Sequence, residues 1–260
     1  MKKTLSRKDC VLVYDTYGDP ERPAVVLLHG YGVDAKMWAP QLEALGDAYG
    51  IVPDIRAHGR SRPCGNFTVA EAAEDLHAIL EAEHCRRFVL IGLSMGGLIA
   101  QEFARRYGGA SGYFILGAVP IFLDCYSSLE KVLLKHSAGM MNLYPWKTLK
   151  REMVKVSAAT ETARAQIAPL FDNMTKQEFI ASWKGLSDCI HREEVRFDAP
   201  LWVACGELDN TGTVRKCLKE WGRAYPNCRT FEFSNASHVA NLDAPKAFNT
   251  ELRAFLSVCF

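Results

Sequence analysis

Ile91-Gly92-Leu93-Ser94-Met95-Gly96-Gly97 is the stretch on which the reading of this chain turns. It is a G-x-S-x-G run between an apolar strand pattern at 87–91 and an apolar helical pattern at 98–107. A strand that turns sharply into a helix leaves the residue at the turn exposed at an apex. Glycines at 92 and 96 let neighbouring backbone pass where a Cβ would clash. A serine held there attacks a carbonyl carbon when a base stands beside it. The pentapeptide also arises by chance in long sequences, so the flanking strand and helix carry the reading.

Three further segments supply what such a serine needs. Ahead of it, 25–32 (VVLLHGYG) reads as an apolar strand ending in a glycine-rich turn. After it, 201–209 (LWVACGELD) reads as a buried strand ending in an acidic loop. Last, 235–241 (NASHVAN) puts a histidine in a polar turn beyond a strand at 229–233. Serine, then aspartate, then histidine is a known order for a nucleophile, its orienting acid and its base. With these four motifs, from about residue 24 to about 245, the sequence resembles the α/β-hydrolase superfamily, in the branch of single-domain serine hydrolases with a helical cap.

The rest of the chain is patterned to match. Strands are expected at 10–14, 24–28, 51–55 and 112–117, and helices at 36–48 and from Thr68 to about 84, the latter opened by the capping pair Thr68 and Glu71. Strands alternating with helices imply an α/β fold with a mostly parallel central sheet covered by helices on both faces. The alternation stops after Pro120. From Ser127 to about Arg192 the pattern is helical throughout, with capping pairs at Ser127/Glu130 and Thr175/Glu178 and with Pro145 and Pro169 as punctuation. Residues 1–119 and 199–260 are therefore expected to form the core, and 120–198 a helical cap over the ligand-binding edge of the sheet. Asp243 and Pro245 suit the first turn of a last helix.

The resemblance implies roles. Ser94 is the expected nucleophile and His238 its base, since an imidazole titrating near ~6.5 both accepts and returns a proton. Asp209 is the expected acid that orients the ring; Glu207 beside it and Asp124 after the 112–117 strand are rivals that rank lower. The backbone N–H groups of Tyr31 and Met95 are the expected oxyanion donors. His29 is expected to brace its loop, and 54–61 (DIRAHGRS), with Ala57 where the family usually has glycine, to be a structural turn. Trp146, Phe171 and Trp183 in the cap are candidate pocket residues in a mainly apolar cavity.

Composition narrows the function class. The 260 residues carry 48% hydrophobic side chains and a formal net charge of +1, which offers no stripe for nucleic acid and no polybasic patch for a membrane. The lysine and arginine pairs at 2–3 and 7–8 read as a solvated N-terminus. Nine scattered cysteines without a C-x-x-C pair, and no apolar leader or long apolar run, suit reduced thiols and a cytoplasmic location. No metal site is expected, because no histidine–carboxylate group shows ligand spacing. No cofactor is expected either: the 92–97 glycines form neither a P-loop nor a dinucleotide fingerprint.

The expected activity is hydrolysis of a small or medium carboxylic ester, lactone or thioester through an acyl-enzyme, with a small-molecule substrate as partner. Carbon–carbon bond hydrolysis and cofactor-free haloperoxidase chemistry stay open, because the same three side chains serve each. So does a second class, a small-molecule receptor with slow or single-turnover hydrolysis. An exposed apolar patch on the cap would favour that class.

Overall fold

The computed structural model describes residues 1–121, 127–187, 189 and 193–260. Its centre is an eight-stranded sheet in the order β1-β2-β4-β3-β5-β6-β7-β8. The strands are β1 (Lys2–Ser6), β2 (Val11–Tyr17), β3 (Ala24–Leu28), β4 (Tyr49–Asp54), β5 (Phe88–Leu93), β6 (Gly112–Leu116), β7 (Leu201–Gly206) and β8 (Arg229–Phe233). β1 pairs antiparallel with β2, and β2 with β4; every pairing from β4 to β8 is parallel. The mostly parallel sheet expected from the alternation is present.

Every residue of β3, β4, β5, β6 and β7 is buried. Successive side chains of a strand point to opposite faces, so full burial means that both faces are covered. The covering helices are α1 (Val69–Ala82), α2 (Met95–Arg106), α7 (Val214–Ala224), the short α8 (Ala240–Asp243) and α9 (Pro245–Cys259), with α3 (Ser128–Asn142), α4 (Trp146–Ser157), α5 (Glu161–Ile167) and α6 (Lys176–Ser187) between β6 and β7. No strand occurs among the described residues of that stretch. The capping pairs form: Ser127 and Glu130 bond reciprocally at the start of α3, and Thr175 and Glu178 do so before α6.

Three local expectations are corrected. Residues Ala35–Leu45 form 3-10 turns instead of an α-helix, because Pro40 lies inside the run and offers no N–H. The basic N-terminus is not merely solvated. β1 is a sheet strand, Lys3 Nζ lies 2.6 Å from Glu83, and Arg7 Nε donates to Asp75 at 2.9 Å. Buried carboxylates need partners, and Glu83 and Asp75 are both buried. Finally, Asp243 does not cap the last helix; Pro245 opens α9 as expected, but the Asp243 carboxylate turns elsewhere.

The strand order locates the site. From β3 the chain crosses to β4 on one side and later to β5 on the other. That reversal opens a crevice beyond the carboxyl ends of β3 and β5. The turn after β3 holds Tyr31 and the turn after β5 holds Ser94.

Candidate active site

Ser94 is the hinge between β5 and α2, with φ 52° and ψ −112°. This conformation costs a non-glycine residue about 1–3 kcal/mol, so its surroundings must hold it. They do so from both sides: Ser94 N donates to Leu116 O at 2.7 Å, and Leu98 N donates to Ser94 O at 3.0 Å. The flanking glycines are required by space. A Cβ on Gly92 would lie 2.3 Å from the Gly96 carbonyl, and one on Gly96 would lie 2.2 Å from the Leu28 oxygen. The Ser94 hydroxyl makes no cap bond to its own helix.

His238 follows β8, and its Nδ1 lies 2.8 Å from Asp209 Oδ2. The carboxylate only accepts, so Nδ1 carries the proton and Nε2 is left as the acceptor. Asp209 Oδ1 accepts from Thr211 N at 2.8 Å. Burial pushes the Asp209 carboxyl up, but the imidazole beside it, the His238 hydrogen bond and the Thr211 amide outweigh burial and hold it below the usual carboxylate range. Glu207, by contrast, accepts from Asn235 N at 3.0 Å. Asp124 lies outside the described residues.

Ser94 and His238 line one cavity of about 460 Å³. Both side chains open onto it, and no hydrogen bond joins the two among the described residues. Tyr31 lines the same cavity. Met95 is the first residue of α2, where an amide has no partner inside the helix. Neither the Tyr31 nor the Met95 amide donates to a turn, loop or cap carbonyl among the described residues. The Tyr31 hydroxyl donates to the Phe179 carbonyl, which pins the turn to α6.

His29 braces that turn. Its Nδ1–H donates to Gly30 O at 2.7 Å, and its Nε2 accepts from Ile55 N at 2.9 Å. Burial pushes its pKa down, in keeping with a neutral bracing ring. In the neighbouring turn Ala57 has φ 64°. Alanine where glycine would sit is therefore a strained choice. Asp54 closes the turn by accepting from Arg60 N at 2.8 Å and from Ala35 N at 2.9 Å.

Phe171 and Trp183 stand on the cavity wall. Trp146 instead packs on Phe179, with ring centres 5.1 Å apart, and is not among the wall residues. The walls also draw on Met153, Val156 and Ile167, and on Thr211 and Val214 beyond β7. Apolar helix positions look alike in sequence whether they face a neighbour or a void, so these carried no signal. Glu152 is the one carboxylate on the described wall, and no lysine or arginine joins it there. No group of three or more histidine, cysteine, aspartate or glutamate side chains able to hold a metal occurs among the described residues. No helix there is long and apolar enough to cross a membrane.

Comparison with known proteins follows the same lines. The model of the alpha/beta hydrolase family matches residues 25–251. The chain is 24% identical to 3-oxoadipate enol-lactonase 2 of Acinetobacter baylyi, over 98% of this chain and 96% of that protein. It is 25% identical to the pimeloyl-[acyl-carrier protein] methyl ester esterase of Vibrio atlanticus, over 90% of this chain and 94% of that one. Among solved structures, a thermophilic esterase from Thermogutta terrifontis superposes with a TM-score of 0.84 at 21% identity, covering 100% of this chain and 99% of that one.

Proposed function

The chain belongs to the alpha/beta hydrolase family, and from that premise we propose that it hydrolyses small to medium uncharged carboxylic esters through a Ser94 acyl-enzyme. The observation that carries this reading is the shared cavity. A serine on a strained strand–helix hinge and an Asp209-bonded imidazole open onto the same apolar chamber. The chamber's size falls in the usual range for small-molecule sites. Names of similar proteins, an enol-lactonase and a methyl ester esterase, agree with ester chemistry.

In this mechanism Ser94 Oγ attacks the ester carbonyl as its proton passes to His238 Nε2. Asp209 holds the ring in the required tautomer and stabilises the imidazolium. The Tyr31 and Met95 amides receive the oxyanion. Collapse of the intermediate expels the alcohol, which leaves with the proton from Nε2. Water then gives a proton to Nε2 as its oxygen attacks the acyl carbon; the acyl–Oγ bond breaks, the acid leaves and Nε2 returns the proton to Ser94 Oγ. Residues 120–198 act as the cap: α4, α5 and α6 contribute walls. A substrate carboxylate meets Glu152 and finds no arginine or lysine on the described wall, which favours uncharged esters.

The test is Ser94→Ala beside the wild type, each assayed with short p-nitrophenyl esters and with a fluorophosphonate label. Turnover and labelling are expected to vanish while the variant stays folded; undiminished turnover refutes the reading. One observation favours the receptor alternative. Leu129, Val132, Leu143 and Tyr144, on α3 and the turn after it, are exposed, and exposed apolar surface of this kind marks interaction sites when contiguous. Multiple turnovers at ordinary rates decide for the enzyme, and a single turnover with a ligand-induced rise in Tm decides for the receptor.

A further inference from the structure

Asp243 sits five residues past His238, at the end of α8, and its carboxylate serves two different parts of the chain. Oδ2 accepts from Ser237 N at 2.9 Å. Oδ1 accepts from Thr160 N at 2.8 Å and from Thr160 Oγ1 at 2.9 Å, and both oxygens take the Ala159 amide, at 3.1 and 2.9 Å. Ser237 immediately precedes the imidazole, whereas Ala159 and Thr160 join α4 to α5. Two more bonds reinforce the seam: Ser237 Oγ donates to Val156 O at 3.0 Å, and Val239 N donates to Ser157 O at 2.9 Å. Val156, Ser157, His238 and Val239 all line the cavity.

We propose that Asp243 is a positioning residue, which locks the His238 loop to the α4–α5 wall so that base and cavity wall move as one body. This rests on the serine-hydrolase reading above. A plain helix cap would use its oxygens on one segment; here they are divided between two that are about 80 residues apart in sequence. His238 is otherwise steered at Nδ1 by Asp209, a contact about which the ring can still tilt. Fixing the backbone at 237 limits how far the ring can shift and so where Nε2 stands relative to Ser94. Charge-assisted bonds to backbone amides suit the task, since they are strong and directional.

Asparagine at 243 keeps the shape but offers one acceptor oxygen. Whichever segment takes that oxygen, the –NH2 then faces amide donors of the other, and one half of the Asp243 bridge is lost. A misplacement of about 1 Å in a reacting group costs on the order of a hundredfold in rate. Asp243→Asn is therefore expected to lower kcat on p-nitrophenyl acetate at least tenfold, per active site titrated with a fluorophosphonate. KM should stay within threefold, because acetate is too small to rest on the α4 wall. Per-site normalisation removes any loss due to unfolding alone. Wild type that labels and turns over, beside an Asp243→Asn protein with per-site kcat within threefold, overturns this inference alone. Wild type that neither labels nor turns over overturns the serine-hydrolase reading and this inference with it. Where Asp243→Asn fails to fold, Ser237→Ala decides: it releases the same loop from Val156 and should lower per-site kcat at least threefold, and an unchanged value counts against the proposal.

Discussion

Replacing Asp209 by asparagine changes one atom and should remove nearly all activity. The reason lies in the second oxygen. Thr211 N donates to Oδ1 at 2.8 Å, so an asparagine must keep its carbonyl oxygen there and turn its –NH2 toward His238. The amide then donates where the carboxylate accepted, at the 2.8 Å contact with Nδ1. The imidazole answers by moving its proton to Nε2, the nitrogen that must receive the Ser94 proton. In a Ser-His-Asp constellation this wrong tautomer lowers kcat about 10⁴-fold, equivalent to ~5.4 kcal/mol of barrier. The fold should persist, because volume and the Thr211 bond are kept. The assay is kcat on p-nitrophenyl acetate beside a thermal melt. A variant within tenfold of wild type, folded to the same degree, refutes the assignment of Asp209 and returns Asp124 or Glu207 to consideration.

Three other outcomes test the frame around the site. Gly96→Ala should lose at least ~1–3 kcal/mol in denaturant titration, since the new Cβ meets the Leu28 oxygen at 2.2 Å and must part α2 from β3; an unchanged midpoint rejects the elbow packing. Burial pushes the Glu102 carboxyl up, but the Arg105 and Arg106 hydrogen bonds outweigh burial and hold it at about 2. Its stabilising contribution is thus complete above the usual glutamate value and fades as pH falls toward about 2, so Glu102→Gln should be less stable than wild type at pH 7 and converge with it across that acid window in chemical melts. Phe171→Ala, at a buried wall position, should cost about 3–5 kcal/mol and shift ester preference toward longer chains; an unaltered chain-length profile removes Phe171 from the substrate's path.

How much of this is legible in the sequence follows from how each feature is encoded. The strands, the glycine-flanked serine and the histidine turn are local: periodicity, small residues and turn chemistry act over a few positions. Local signals fail where a distant partner decides. Nothing in the first eight residues announces that Lys3 and Arg7 neutralise the buried Glu83 and Asp75 of α1 and its end. Trp146 and Trp183 are alike in sequence, yet of the two Trp183 stands on the cavity, while Trp146 packs at a tilt on Phe179. Pro40 was visible, but periodic apolar positions around it masked the 3-10 geometry it imposes.

Sequence alone determined the kind of sheet and the strand–helix hinge that carries Ser94, and pointed to His238 as the prospective base, because each is written in short-range pattern and chain order. Tertiary structure alone decided which carboxylate meets the imidazole, which apolar side chains surround the cavity and what Asp243 does. Those depend on residues brought together across 84 positions of chain at Asp243 and from Gly30 to Val239 around the cavity, and contact at that separation is set by the packing of the whole sheet, not by any neighbourhood in the sequence.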